Sequence, residues 1–294
     1  MKNLVRVLLL SAGLAVAGAA VAQQAPSDQS TITVTGSKPT RQAIQDFVRD
    51  LAPVAPSLKM SRFEQNVCPA VFGLPASQAA AVANRLRVVA KGAGIAVGGP
   101  NCTANVVVIV TSDKKALLEQ LRLHRAEYFG DMGPKKIARL EADNSPAVSW
   151  QIAGLDVDAD GREIQWDPTY DQPTNRTIIP PSRITVPASP TFSAAVVVVE
   201  HKALDGLTTT QLADYAAMRA YAGADPARLG SSNVPTILRV LDAPMGTAVP
   251  ITLTNWDFGF LHGLYAGRRD LRSASQRTDI SDTMTKDLHG QQKK

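Results

Sequence analysis

Two runs decide how this chain folds: Ala104-Asn105-Val106-Val107-Val108-Ile109-Val110 and Ala194-Ala195-Val196-Val197-Val198-Val199. Both are short, rich in valine and apolar at consecutive positions rather than alternate ones, the pattern of strands buried on two faces. Such a strand needs a neighbour, and each run is the obvious neighbour for the other. Around them the apolar spacing turns helical. Thr40 stands as an N-cap before Ile44, Phe47, Val48 and Leu51, and Pro53 and Pro56 stop that helix. Ser77 caps a second helix carrying Val82, Leu86 and Val89, which ends at Gly92 and Gly94. Asp113 caps a third, running to about Tyr128 with Leu117, Leu121 and Tyr128 on its core side. Gly133-Pro134 opens a short helix through Leu140, Thr208 opens another, 234–241 is a short helix or strand, 254–267 is aromatic and helical, and 273–288 is a terminal helix. The resulting expectation is an α+β fold, a small sheet centred on the two valine strands and packed by several amphipathic helices.

The segment 147–190 differs in character, with many Pro, Asp and Thr residues. Trp150-Gln151-Ile152 and Ile164-Gln165-Trp166 flank an Asp160-Gly161 turn signal, which predicts a β-hairpin protruding from the core. Domain organisation follows: a leader at 1–22, a flexible segment at 23–39 with a short strand at 31–35, and one α+β domain over 40–294 with 147–190 as its insertion.

The leader has the parts of an export signal. Lys2 and Arg6 are positive, Leu4–Ala20 is apolar without an acidic residue, and Ala20-Val21-Ala22 provides a small-x-small cut before Gln23. Export to the periplasm as a protein without a membrane span is therefore expected. Two cysteines, Cys68 and Cys102, then predict one disulfide, since an even count in an oxidising compartment favours pairing. With 45% hydrophobic and 19% charged residues the composition is that of an ordinary globular chain. The net charge of +5 falls to about +3 once Lys2 and Arg6 leave, too mild and too dispersed for a nucleic-acid surface. The densest basic group, Arg268, Arg269, Arg272 and Arg277, reads as a solvated helix face, with an anionic partner as the sharper alternative.

No strong catalytic motif is present. Glu200 and His201 follow the second valine strand, and Asp214 lies on the next helix, so these three are the candidates for a dispersed hydrolytic site. Against that stands the capping box Thr208/Gln211, which accounts for its own residues, with Asp214 and Arg219 placed on the exposed helix face. His124 reads as a half-buried core residue, and His262 and His289 form no set with it. Asp156, Asp158 and Asp160 with Gly161 match the opening of a calcium loop, but the twelfth position is Asp167 rather than Glu and the flanks are strand-like. A hairpin tip explains the same residues, so no metal or other cofactor is expected.

The order of the first helices, the cysteine, Ala104-Asn105-Val106, the second valine strand and Gln211-Leu212-Ala213-Asp214-Tyr215 resembles a family of uncharacterised secreted proteobacterial proteins. At a greater distance, over about residues 62–128 and 190–222, it is similar to a zincin-like (metallopeptidase-like) layout. In zincins the corresponding helix carries His-Glu-x-x-His; here Thr210, Gln211 and Asp214 stand at those positions, so the resemblance implies a scaffold without the zinc chemistry. The functional expectation is a non-enzymatic binding or structural protein of the envelope. Segment 147–190 would contact an envelope protein or a second copy, with no nucleic acid involved, and a hydrolase near 200–214 is the alternative.

Overall fold

The computed structural model describes residues 39–52, 59–230, 232–244 and 246–290; the leader, cleavage site and 31–35 strand expected from the sequence lie outside the described residues. Both valine runs are strands, β2 (Val106–Thr111) and β8 (Phe192–Glu200). They pair in parallel, Val108 opposite Val197, at the centre of a sheet ordered β1-β2-β8-β3. The outer strands are β1 (Pro69–Phe72), parallel to β2, and β3 (Ala147–Ala153), antiparallel to β8. Helices cover both surfaces, which makes an α+β fold around a small mixed sheet.

Alternation along the two central strands sorts the core in two. Val106, Val108, Val110, Ala195, Val197 and Val199 join the larger cluster. Its helical side comes from α1 (Arg41–Leu51), α2 (Ala76–Gly92), α5 (Thr209–Ala222), α6 (Asn255–Ala266) and α7 (Ser273–Gly290). Val196 and Val198 face the other way, with Val148 and Trp150 of β3. They meet Leu118 of α3 (Lys114–His124), Ile137 of α4 (Pro134–Ala142) and Phe129, whose ring stacks on Trp150 at 5.1 Å. A strand valine enclosed in this way contributes about 1.5–3 kcal/mol relative to exposure, which is why uninterrupted valine is affordable at the sheet centre and nowhere on its edges.

The caps at Thr40, Asp113 and Thr208 form as the sequence predicts, each side chain accepting a backbone N–H of the first helical turn. Ser77 does not cap α2, which starts at Ala76 behind Pro75 and takes the fixed proline geometry as its start. Helix α3 stops at His124 and a 3-10 turn follows, so Leu118 is its buried apolar residue, with Lys114 buried at its start, while Tyr128 and His124 are exposed, not core.

The hairpin expectation needs correcting. Trp150-Gln151-Ile152 belongs to β3 and pairs with β8 in the main sheet, not with 164–166. The insertion therefore begins after Ala153. It holds β4 (Val157–Asp158) paired with β7 (Ala188–Ser189), and a small hairpin of β5 (Gln165–Asp167) with β6 (Gln172–Thr174). Its returning limb is fastened to the stretch before α7: Val186 N–H donates to Asp270 O (2.7 Å) and Arg272 N–H to Ile184 O (2.8 Å).

Cys68 and Cys102 form a disulfide with Cα atoms 5.9 Å apart, tying the start of β1 to the loop before β2. Gly98 makes room for it, since a Cβ there would lie 2.7 Å from the Cys102 Cβ. At the other end of β1, Gly73 (φ +83°) turns so closely over β2 that a Cβ would meet Val110 O at 1.9 Å.

Candidate functional site

Helix α5 is buried from Gln211 to Ala222 on every side, so its polar residues must find partners inside the protein. Asp214 is fully enclosed. Arg85 of α2 donates Nε–H to its Oδ1 (2.7 Å) and a second N–H to its Oδ2 (3.0 Å), and the Thr252 hydroxyl (2.6 Å) and Leu253 N–H (2.7 Å) also reach Oδ2. Arg219 donates to the Ser149 hydroxyl (2.9 Å) and to the Tyr215 hydroxyl (2.7 Å). Neither residue lies on an exposed helix face, as the spacing alone had placed them. Gln211 closes the capping box and donates its amide to Pro250 O (2.9 Å). Two of the three residues at the zincin positions thus have structural duties.

Glu200 ends β8 and pairs with Lys202 at 3.0 Å, while His201 is exposed in the 3-10 turn that follows. Among the described residues no hydrogen bond or ion pair joins Glu200, His201 and Asp214. A histidine–carboxylate pair does form elsewhere. His262 Nδ1 lies 2.7 Å from Asp287 Oδ2, bridging α6 and α7, with the ring stacked on Phe258. The two residues are far apart in sequence on separate helices, and no motif marks them. The hydrogen bond described for His262 is the one to Asp287.

Asp156, Asp158 and Asp160 do not converge on an ion-sized space. Asp158 Oδ1 instead accepts the backbone N–H groups of Asp160 and Arg162, both at 2.9 Å, and Asp160 lies 3.6 Å from the Arg162 guanidinium. Among the described residues no group of three or more His, Cys, Asp or Glu side chains is arranged to hold a metal. Three members of the basic group near the C-terminus have partners: Arg268 pairs with Asp270, Arg269 with Glu64, and Arg272 donates to Ser182 O.

A space open to a ligand lies on the insertion. A cleft of about 550 Å³ runs between the Asp158–Arg162 turn and the β5–β6 hairpin. Its wall includes Arg162, Glu163, Trp166, Asp167 and Arg176, and Trp166 keeps 60% of its surface exposed. The hairpin tip adds Tyr170, 71% exposed, beside Asp171, which takes the left-handed φ of +50° that a short polar side chain tolerates. Sequence reasoning singled out the segment and placed Trp166 on a hairpin limb, but gave neither it nor Tyr170 a part in a site. The signal was there, in Trp and Tyr inside a stretch otherwise rich in Asp, Pro and Thr.

Lys59 fastens the base of the insertion. Its ammonium donates to Ala188 O (3.3 Å), Ser189 Oγ (2.7 Å) and Arg269 O (2.6 Å), and Ser189 itself donates to Arg269 O. Burial lowers its pKa from 10.5 to about 8, against the pull of Asp270 and Asp156 and with the push of Arg62. The folded protein therefore gives up this proton near pH 8 and the unfolded chain near pH 10.5. Between those values the unfolded state holds more protons, so this group's contribution to stability rises with pH. The denaturation midpoint of wild type minus that of Lys59→Met is expected to rise from pH 7 to pH 10. A difference that falls would show that the ammonium, not the amine, is the favoured form.

No family model, curated protein or solved structure matches this chain. Among the described residues no helix is long and apolar enough to cross a membrane, and both described cysteines are in the disulfide.

Proposed function

We propose that the chain is an exported, non-enzymatic binding protein of the bacterial envelope, and that the insertion at 154–191 is its contact element. The carrying observation is the pairing of exposed Trp166 and Tyr170 with a polar cleft, on a segment whose base is fastened to the body at Lys59, Asp270 and Arg272. Trp166 and Tyr170 are exposed on one hairpin, grouped exposed apolar surface marks contact sites, and neither residue belongs to a core cluster. The disulfide supports an oxidising compartment, and with the leader cut after Ala22 the periplasm is the compartment we assign. The zincin-like layout enters this reading as a scaffold only. The competing hydrolase would need Glu200, His201 and Asp214 to act together, and Asp214 already has its oxygens engaged by Arg85, Thr252 and Leu253.

Replacing 163–176 by a short Gly-Ser turn tests the proposal. Helical circular dichroism and melting temperature should stay near wild type, because the removed hairpin holds no residue of either core cluster. Co-sedimentation of the exported protein with washed envelopes should be lost. Unchanged co-sedimentation in a folded variant would refute a contact role for the hairpin.

A further inference from the structure

We infer that the insertion cleft is a glycan site, taking an uncharged or weakly charged sugar chain with one ring against Trp166. This rests on the reading of the insertion as the contact element and specifies what it contacts. The cleft volume of about 550 Å³ falls within the ~300–1,000 Å³ of small-ligand clefts. Its wall carries both signs of charge. The carboxylates of Asp158, Glu163 and Asp167 face a space shared with the guanidinium groups of Arg162 and Arg176. That balance gives a phosphate or nucleic acid no net attraction, and a cation little more. It does supply acceptors and donors side by side, the complement of vicinal hydroxyl groups, each of which both donates and accepts. Charged partners make those hydrogen bonds the stronger kind.

The indole decides between a sugar and other polar ligands. A pyranose ring presents a face of C–H groups between its hydroxyls, and that face needs a flat apolar surface. Trp166 offers one in the cleft wall, and Tyr170 stands exposed at the tip of the same hairpin. Asp158 is held by the backbone of its own turn, and Asp167 Oδ1 accepts Thr169 N–H at 2.8 Å, so two of the three cleft carboxylates are positioned before any ligand arrives. The cleft opens to solvent, so a chain longer than its volume can extend beyond it.

The test uses full-length mature protein with chitohexaose and cellohexaose as probes, read by calorimetry and tryptophan fluorescence. Trp150 is buried and Trp256 packs against the larger core, so a ligand-induced change in emission reports on Trp166. We expect binding of at least one probe, and about tenfold or more weakening in Trp166→Ala, the effect of losing an aromatic stacking surface with its buried area. Absence of binding to both probes at millimolar concentration would overturn the inference, and so would binding that Trp166→Ala leaves intact. Envelope co-sedimentation measured alongside separates the two claims. If hairpin replacement abolishes it while neither sugar binds, only the glycan assignment falls. If replacement leaves co-sedimentation intact, the contact role falls as well.

Discussion

Asp214→Ala is expected to lower the unfolding free energy by about 3–5 kcal/mol, the cost of breaking a buried, hydrogen-bonded ion pair by removing one partner. Four donor contacts end on this carboxylate, from Arg85 (two), Thr252 and Leu253. Alanine takes the carboxylate from all four, and of these the Arg85 N–H that also reaches Thr252 Oγ1 (2.8 Å) keeps another acceptor. The Arg85 side chain is 32% exposed and recovers part of its solvation from water. The Leu253 N–H and Thr252 hydroxyl are less fortunate, because they point toward the buried flank of α5. Asp214→Asn keeps the shape but turns one acceptor into a donor facing other donors, so it should cost somewhat less than alanine and still be plainly destabilising. His201→Ala, at an exposed turn, is the control and should stay within about 0.5 kcal/mol of wild type. Urea titrations followed by circular dichroism measure all three. If Asp214→Ala unfolds at the same urea concentration as the control, the carboxylate is not a structural clamp and must be reconsidered as a functional group.

The same residue shows what could and could not be read from the sequence. Its helix was legible because Thr208 and Gln211 are local partners, three residues apart. Its burial was not, because amphipathic spacing assumes a solvent face. A better signal lay in the composition of α5, where alanines at 213, 216, 217, 220 and 222 leave Asp214 and Arg219 as the only charges. A helix with small residues all round is built to be approached from several sides, here by α2, α6 and the sheet, and any charge on it must be paired. The valine strands were legible for the opposite reason: an apolar run on consecutive positions reads as burial on both faces, which holds from Ala195 to Val199 in β8, while β2 alternates buried and half-buried residues. Trp150-Gln151-Ile152 misled because alternation reports which way side chains point and says nothing about which strand lies alongside. The Asp160-Gly161 turn is real, with Gly161 at φ +83°, but it joins only Val157 to Glu163. The strand before it found β8 instead, since Val148 and Trp150 there complete the smaller core.

For the site, the limits are those of distance along the chain. Cys68 and Cys102 needed only counting. The cleft depends on how residues 158–176 fold back on themselves, and the three carboxylates read as a calcium loop prove to be divided between a turn and its flank. Likewise Arg85 meets Asp214, and His262 meets Asp287, through helix packing that no spacing rule encodes.

Loss of the disulfide is expected to cost nearly as much as loss of the Asp214 carboxylate. The bridge spans a sequence separation of 34 residues, and the chain-entropy relation gives about 4 kcal/mol for a loop of that length. For a domain of this size that corresponds to a fall in melting temperature of about 8–16 °C. The full figure requires that the native fold bear no compensating strain and that the loop be free when unfolded. The surroundings favour the first condition: the Cα separation of 5.9 Å lies within the ordinary range, and glycine at 98 leaves the space the bridge occupies. The closed loop contains β1 and all of α2, with Val82, Leu86, Val89 and Ala90 in the larger core, and β2, which pairs with β1 in parallel, follows directly after it. A parallel pair must be brought together across its crossover, and the bridge shortens that search in the unfolded chain. The double variant Cys68→Ala/Cys102→Ala should therefore fold to the same circular dichroism spectrum and melt lower, and wild type heated with reductant should match it. Equal melting temperatures with and without reductant would mean that core packing around α2 already restrains the unfolded chain, so that closing the loop covalently removes no further freedom.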